Sequence, residues 1–367
     1  LEDAVTRYQT YVHERNWGAR VNEFEYRGYA MVALENRFLR VVVAAGKGTD
    51  IVEFLYKPLD VDFLWRSYTG LRDSRNLHPT IANPHGSFLD FYTGGWQEML
   101  PNAGLDCIYK GVSLGVHGEI CLAPWKYHVT KNTPEETAVT FCVRGLRTPF
   151  YVEKTLSINS NESVLLIDEV VRNESDEDMD LMWGHHPAFG WPFLDESCRL
   201  FLPTCRVRTP EDYTAPSSRL ERGQDTEWPM VRGRKGETVD LSRIPPPEVR
   251  SHDMAYLYDL EDGWYALLNS SRGVGFGLSW DKSLFPHLWF WQLYRGGMGY
   301  PWFGTNYVAA LEPVSSYPQT LTEAIRAKTQ VVLPPGGERR TRLVAAAFAG
   351  HGEIRRIEPS GRVEWAQ

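Results

Sequence analysis

The sequence is short of the features that mark most ligand classes. Its five cysteines, at 107, 121, 142, 198 and 205, form no Cys-x-x-Cys pair; an odd, scattered set fits buried thiols in a reducing compartment better than a disulfide framework. No apolar run approaches the ~20 residues of a membrane span, and no charged-then-apolar leader opens the chain. The expectation is a cytoplasmic protein with no membrane partner. Positive charge is also scarce: 39 Lys and Arg stand against 47 Asp and Glu, for a net charge of -8. Without a basic block to displace phosphate counterions, nucleic acid is not an expected partner. There is no Walker motif, no Gly-x-Gly-x-x-Gly and no Gly-x-Ser-x-Gly elbow. His-x-x-x-His spacing is missing as well, so neither a cofactor nor a metal is expected. No 20 to 50 residue repeat is present.

What the chain does have is aromatic surface, with 13 Trp, 18 Tyr and 16 Phe in 367 residues. Such rings fill β-sandwich cores and also stack on the C–H faces of sugars. Hydrophobic residues make up 43% and charged residues 23%, the balance of an ordinary globular protein. Asp3, Val5, Tyr8 and Val12 are spaced for one short helix within 1–20. Beyond it the punctuation is β. Phe38 to Ala45 is β-branched and ends at a Gly-Lys-Gly turn; Thr137 to Arg144 alternates, with Val139, Phe141 and Val143 on one face. Ser163 to Arg172 lies between the Asn159 and Asn173 turns. Short strands with Asn, Asp, Gly and Pro turns predict an all-β, large antiparallel β-sandwich with few short helices, one domain over 1–367. The polar, Pro-rich stretch 209–247 is expected as a surface excursion.

Three polar clusters sit where side chains could converge. Gly115-Val-His117-Gly-Glu119 is followed by Trp125, and small neighbours let a ligand approach the imidazole. Gly184-His185-His186-Pro-Ala-Phe189 carries two adjacent histidines, which on a strand point to opposite faces, so only one can look into a given cleft. Ala310-Leu311-Glu312-Pro313 sets a carboxylate in an apolar frame, where desolvation raises its pKa toward general-base work.

In their order along the chain these clusters resemble the galactose mutarotase (aldose 1-epimerase) family. Val116-His117-Gly118 with Trp125 is similar to that family's Leu-His-Gly-Gly segment, and the strand ending in His186-Pro-Ala-Phe189 to its His-x-x-Phe. His252-Asp253 resembles the element whose Asp binds sugar hydroxyls, and Leu311-Glu312-Pro313 the stretch that carries the general base. Val332-Leu-Pro-Pro-Gly-Gly-Glu338 matches a C-terminal turn. The resemblance implies a cofactor-independent isomerase that opens and recloses a sugar ring, with Glu312 as base, His186 as acid and His117 at the ring oxygen. It implies a small carbohydrate substrate held by Asp253 and by stacking rings among Trp96, Trp125, Trp191 and Trp302. The family's Asn-Arg pair appears here as Asn102-Ala103, and Trp96, Gln97, Glu98, Arg72 or Arg75 are the expected replacements for the arginine. That departure implies a divergent branch. A carbohydrate-binding protein without catalysis, or a lyase or hydrolase on the same scaffold, is the alternative.

Overall fold

The computed structural model describes residues 15–73, 84–211 and 215–366. Most of the expected N-terminal helix, including Asp3, Val5, Tyr8 and Val12, lies outside them, and residues 15–19 are not helical. Two large antiparallel sheets dominate the rest, one of twelve strands and one of eight. Alternation explains why these segments form strands: Val164–Asn173 buries every second residue, Leu165, Ile167 and Val171 among them, so that one face of the pleat meets the core.

The sheets stack through an aromatic cluster. Phe276 of the smaller sheet lies 5.3 Å from Phe54 and 5.0 Å from Phe189 of the larger one. The Phe276–Phe54 pair is edge-on, an arrangement that contributes about 0.5–1.5 kcal/mol beyond the area it buries. Among the described residues the α-helices are two short ones, Pro84–Asp90 and Leu321–Ala327. The second is started by a Thr320/Glu323 capping box, which satisfies two of its free backbone donors.

Five consecutive strands in the middle of the larger sheet position everything that follows. In sheet order they are Trp96–Met99, Gly184–Gly190, Tyr307–Val314, His287–Tyr294 and Ser251–Tyr258. Gly184–Gly190 is buried on both faces. One face meets the other sheet; the other lies under a layer that includes Trp65, Phe88, Tyr92, Val116 and Cys121.

The stretch 209–247 adds short strands at Asp225–Glu227, Met230–Arg232 and Thr238–Asp240. It also buries Leu220, Val231, Leu241 and Ile244. It therefore packs as part of the structure rather than only passing over its surface.

Candidate functional site

Register brings the two key side chains together. Gly184 pairs with Val314 and Ala188 with Ala310, so His186 falls opposite Glu312. Because successive residues alternate faces, these two share the face away from the second sheet, together with Trp289 and Trp291 of the next strand. His186 Nε2 lies 3.4 Å from Glu312 Oε1. Both residues are almost fully buried, at 4% and 2% exposure.

His117 arrives from outside the sheet. It adopts a left-handed backbone, with φ of 59°. Gly118 follows it at φ +78°, where a Cβ would sit 2.1 Å from the Leu100 carbonyl oxygen; only glycine fits that approach. The turn brings the His117 ring within 5.0 Å of the His186 ring and 4.5 Å of Phe88. His117 Nδ1 is hydrogen-bonded to the Ala103 carbonyl. A carbonyl only accepts, so Nδ1 carries the proton and Nε2 has the free lone pair.

These residues line one cavity of about 250 Å³. Its walls are largely apolar, from Phe88, Leu105, Met254, Trp289, Trp291 and Trp302. Its polar groups are His117, His186, Glu312, His252, Asp253, Ser218 and Gln319. Burial governs their charge. It raises the Glu312 carboxyl well above the usual carboxylate range. It holds the His186 imidazole well below its usual value, with His117 adding to the effect, and pushes His117 down to about 4. Near neutral pH each group favours its uncharged form, so the Glu312–His186 pair keeps one proton between two sites. Tyr92 Oη lies 3.4 Å from His186 Nδ1. Its phenol is pushed well up by burial and by the nearby Glu312 and Asp50, and so stays protonated beside the ring.

His185 looks the other way. Its Nε2 is 2.9 Å from Glu169 Oε2, and its Nδ1 accepts from Trp96 Nε1 at 3.2 Å. Beside it Glu98 pairs with Lys154 at 3.0 Å and accepts from Trp183 Nε1 at 2.9 Å. Burial raises the Glu169 carboxyl to about 7, while Lys154 opposes the shift; burial lowers His185 to about 3. This buried network stiffens the strand behind His186 and does not reach the cavity.

The chain was compared with known proteins. The model of the family described as a domain of unknown function, DUF4432, matches residues 26–346. The chain belongs to the DUF4432 family. No curated protein matches it. Among solved structures, this DUF4432 chain is similar to a candidate aldose 1-epimerase of Klebsiella pneumoniae subsp. pneumoniae MGH 78578, at 17% identity and a TM-score of 0.69, over 90% of this chain and 83% of that one. It is also similar to a galactose mutarotase-like protein of Clostridium acetobutylicum, at 14% identity and a TM-score of 0.61, over 90% of this chain and 99% of the other. A galactose mutarotase related enzyme of Lactobacillus acidophilus aligns at 18% identity and a TM-score of 0.58, over 91% and 100%. At such identities the likeness establishes the fold, a galactose mutarotase-like β-sandwich, as the order of motifs implies.

The remaining expected site residues are placed unevenly. Trp302 lines the cavity, and so does Asp253, although the carboxylate of Asp253 is already engaged. Its Oδ1 accepts from Ser218 Oγ at 2.8 Å and from the Arg219 amide at 2.7 Å, and its Oδ2 from Arg219 Nε at 2.7 Å. Gln97 pairs with His186 across the strands but turns its Nε2 to the Gly94 carbonyl, 2.5 Å away, and is not part of the cavity wall. Asn102 is structural: its amide donates to Leu105 and Gly115 carbonyls at 2.6 and 3.1 Å, and its Oδ1 accepts from the Leu321 amide at 2.8 Å. It ties the His117 loop to the second helix.

Trp96 and Trp125 are corrections to the expected stacking wall, since both lie in the main core. Trp96 bonds His185, and Trp125 donates to the Ile120 carbonyl at 3.0 Å. Trp191 is 77% exposed and stands outside the cavity wall. Arg72 lines a small adjoining pocket with Tyr68, Tyr300 and Trp302. Arg75 lies outside the described residues. Sequence reasoning missed Tyr92, His252, Trp289 and Trp291 as wall residues. The usable signal was the i, i+2 spacing of His252 with Met254 and of Trp289 with Trp291, which puts each pair on one face of its strand.

Proposed function

We propose that this protein is an aldose 1-epimerase-like isomerase that interconverts the anomers of a sugar by general acid–base ring opening. The observation that carries this reading is the opposed Glu312–His186 pair, 3.4 Å apart in a buried, aromatic-walled cavity. A pair that holds one proton between two sites can give a proton and take one in the same event. The anomeric O–H loses its proton to the vacant member while the proton-bearing member protonates the ring oxygen. The bond from C1 to the ring oxygen breaks as C1=O forms. Rotation about C1–C2 and the reverse transfers close the other anomer.

The roles implied by the resemblance, Glu312 as base and His186 as acid, require the shared proton on Nε2. Burial favours it on the carboxyl. The two states differ only by a transfer across the 3.4 Å contact; His186 Nδ1 keeps its own proton in both, so Tyr92 Oη accepts from it throughout. Each proton-transfer partner typically contributes ~10²–10⁴-fold. His117, with its Nδ1 proton committed to Ala103, offers Nε2 as an acceptor. It therefore receives a hydrogen bond from a sugar hydroxyl rather than protonating the ring oxygen.

Hydrolysis by a carboxylate pair is less well supported. Among the described residues the cavity presents two carboxyl groups, Glu312 and Asp253, and the second is occupied by Ser218 and Arg219; glycosidases need two that are free to act. Magnetization-exchange NMR across a panel of neutral aldoses, sugar acids and sugar phosphates tests the proposal. Faster anomer exchange with at least one sugar, lost in Glu312→Gln and in His186→Ala, is the expected result. Binding without exchange would leave a carbohydrate-binding protein instead.

A further inference from the structure

We propose that His252, and not Asp253, is the residue of the Ser251–Tyr258 strand that grips a substrate hydroxyl, donating to its oxygen from Nδ1. This rests on the reading of the cavity as a sugar site.

Three observations support it. The Asp253 carboxylate is consumed within the protein. Three hydrogen bonds from Ser218 and Arg219 fill it, and Arg219 Nη2 goes on to Gln292 Oε1 at 2.9 Å. Asp253 thus clasps the loop that lays Ser218 against the cavity.

His252, one residue earlier, lines the same cavity and has its tautomer set. Trp291 Nε1 lies 2.9 Å from His252 Nε2. An indole N–H can only donate, so Nε2 must be the lone-pair nitrogen, and the ring proton sits on Nδ1. Burial lowers the ring's pKa, which keeps it in that neutral form. Trp291 is itself braced, 5.3 Å from Trp302 and 5.9 Å from His186, so the lock holds a fixed direction.

Among the described residues no protein acceptor meets Nδ1–H. A donor left unpaired when water is displaced from an apolar cavity is costly. The occupant must therefore bring an acceptor. A hydroxyl oxygen meets a neutral N–H well, and the site rejects an analogue that lacks it.

The test is isothermal titration calorimetry of the intact protein with an aldose panel and the monodeoxy analogues of whichever aldose binds. Wild-type protein should bind the parent sugar about tenfold more tightly than one particular monodeoxy analogue. His252→Phe should abolish that one preference while leaving the preferences at other positions. His252→Gln, which can accept from Trp291 and still donate, should retain it. If His252→Phe does not fold, Trp291→Phe releases the tautomer and should erase the same preference. Full discrimination retained by the Phe variant, or by Trp291→Phe where that variant stands in, would overturn the assignment. Binding without anomer exchange overturns only the isomerase reading, whereas binding of no sugar at all overturns both.

Discussion

Glu312→Gln should make the protein inactive and more stable, with a stability gain that grows with pH. The unfolded carboxyl ionises near its ordinary value of 4.5, whereas burial raises the folded one well above that. Above pH 4.5 the native pair therefore keeps a proton that the unfolded chain has released. A group whose folded pKa is raised contributes stability that is full below the unfolded pKa and is lost as pH rises toward the folded one. The loss is about 1.4 kcal/mol per pH unit for as long as the native pair holds its proton. Gln has the same shape and no such term. As pH rises above 4.5 the variant should gain on wild type for as long as the native pair keeps its proton. Urea unfolding at several pH values, followed by tryptophan fluorescence, reads this as a gap between midpoints that widens with pH. The sign does not depend on whether Glu312 or His186 holds the shared proton, since the native count is the same. A gap that stays constant with pH would show that the native pair holds no extra proton, and the acid–base reasoning would then fail with it.

Tyr92→Phe removes the partner of His186 Nδ1 and should lower kcat about 3- to 10-fold with little change in KM, measured by exchange NMR. Asp253→Asn leaves Arg219 paired only with Gln292 and should destabilise the fold by about 3–5 kcal/mol in urea unfolding; a higher KM at unchanged stability would instead mean that Asp253 binds substrate. Acid should also weaken the protein. His117 and His287 are both pushed down to about 4 by burial. Between about pH 6.5 and 4 the unfolded chain takes up protons that the native state refuses, so stability falls as pH drops, by about 1.4 kcal/mol per unit for each. His287→Gln should flatten that slope by one histidine's share in a pH series of urea midpoints.

Much of the fold was legible because β-branched runs between turn residues mark strands, and in Val164–Asn173 burial also alternates with a period of two. The expected strands at Phe38 to Ala45, Thr137 to Arg144 and Ser163 to Arg172 appear as Leu39–Ala44, Glu136–Arg144 and Val164–Asn173. The same periodicity separated His185 from His186, and the family motif chose between them. Side chains that look alike to water were harder to place. Trp96 and Trp302 are equally aromatic, yet one fills the core between the sheets and the other walls the cavity. Nothing in a hydrophobic pattern distinguishes burial under a second sheet from burial under a ligand. The stretch 209–247 shows a related difficulty. Its polar residues point to solvent by composition, but Ser218 and Arg219 find a buried carboxylate on a strand more than thirty residues downstream.

The pair His252-Asp253 shows where motif matching reaches its limit. Alternation says that two neighbours on a strand face opposite ways; it does not say which of them meets the ligand. The resemblance selected Asp253 because it stands where the family's element has the Asp that binds sugar hydroxyls. In this chain the loop carrying Arg219 has reached that carboxylate first, and an arginine bound there both neutralises and fills it. Replacing one acceptor by one donor inverts what the site asks of a hydroxyl. An Asp accepts its proton, whereas a neutral His locked by Trp291 donates to its oxygen. The cavity then keeps its acceptors at His117 Nε2 and at the Glu312–His186 pair, and its added donor is His252 Nδ1. On the proposed reading, a sugar bound there orients one hydroxyl as an acceptor toward His252 Nδ1 and another as a donor toward His117 Nε2. If the cavity is the proposed sugar site, that pairing rather than the shape of the apolar walls sets which aldose it holds.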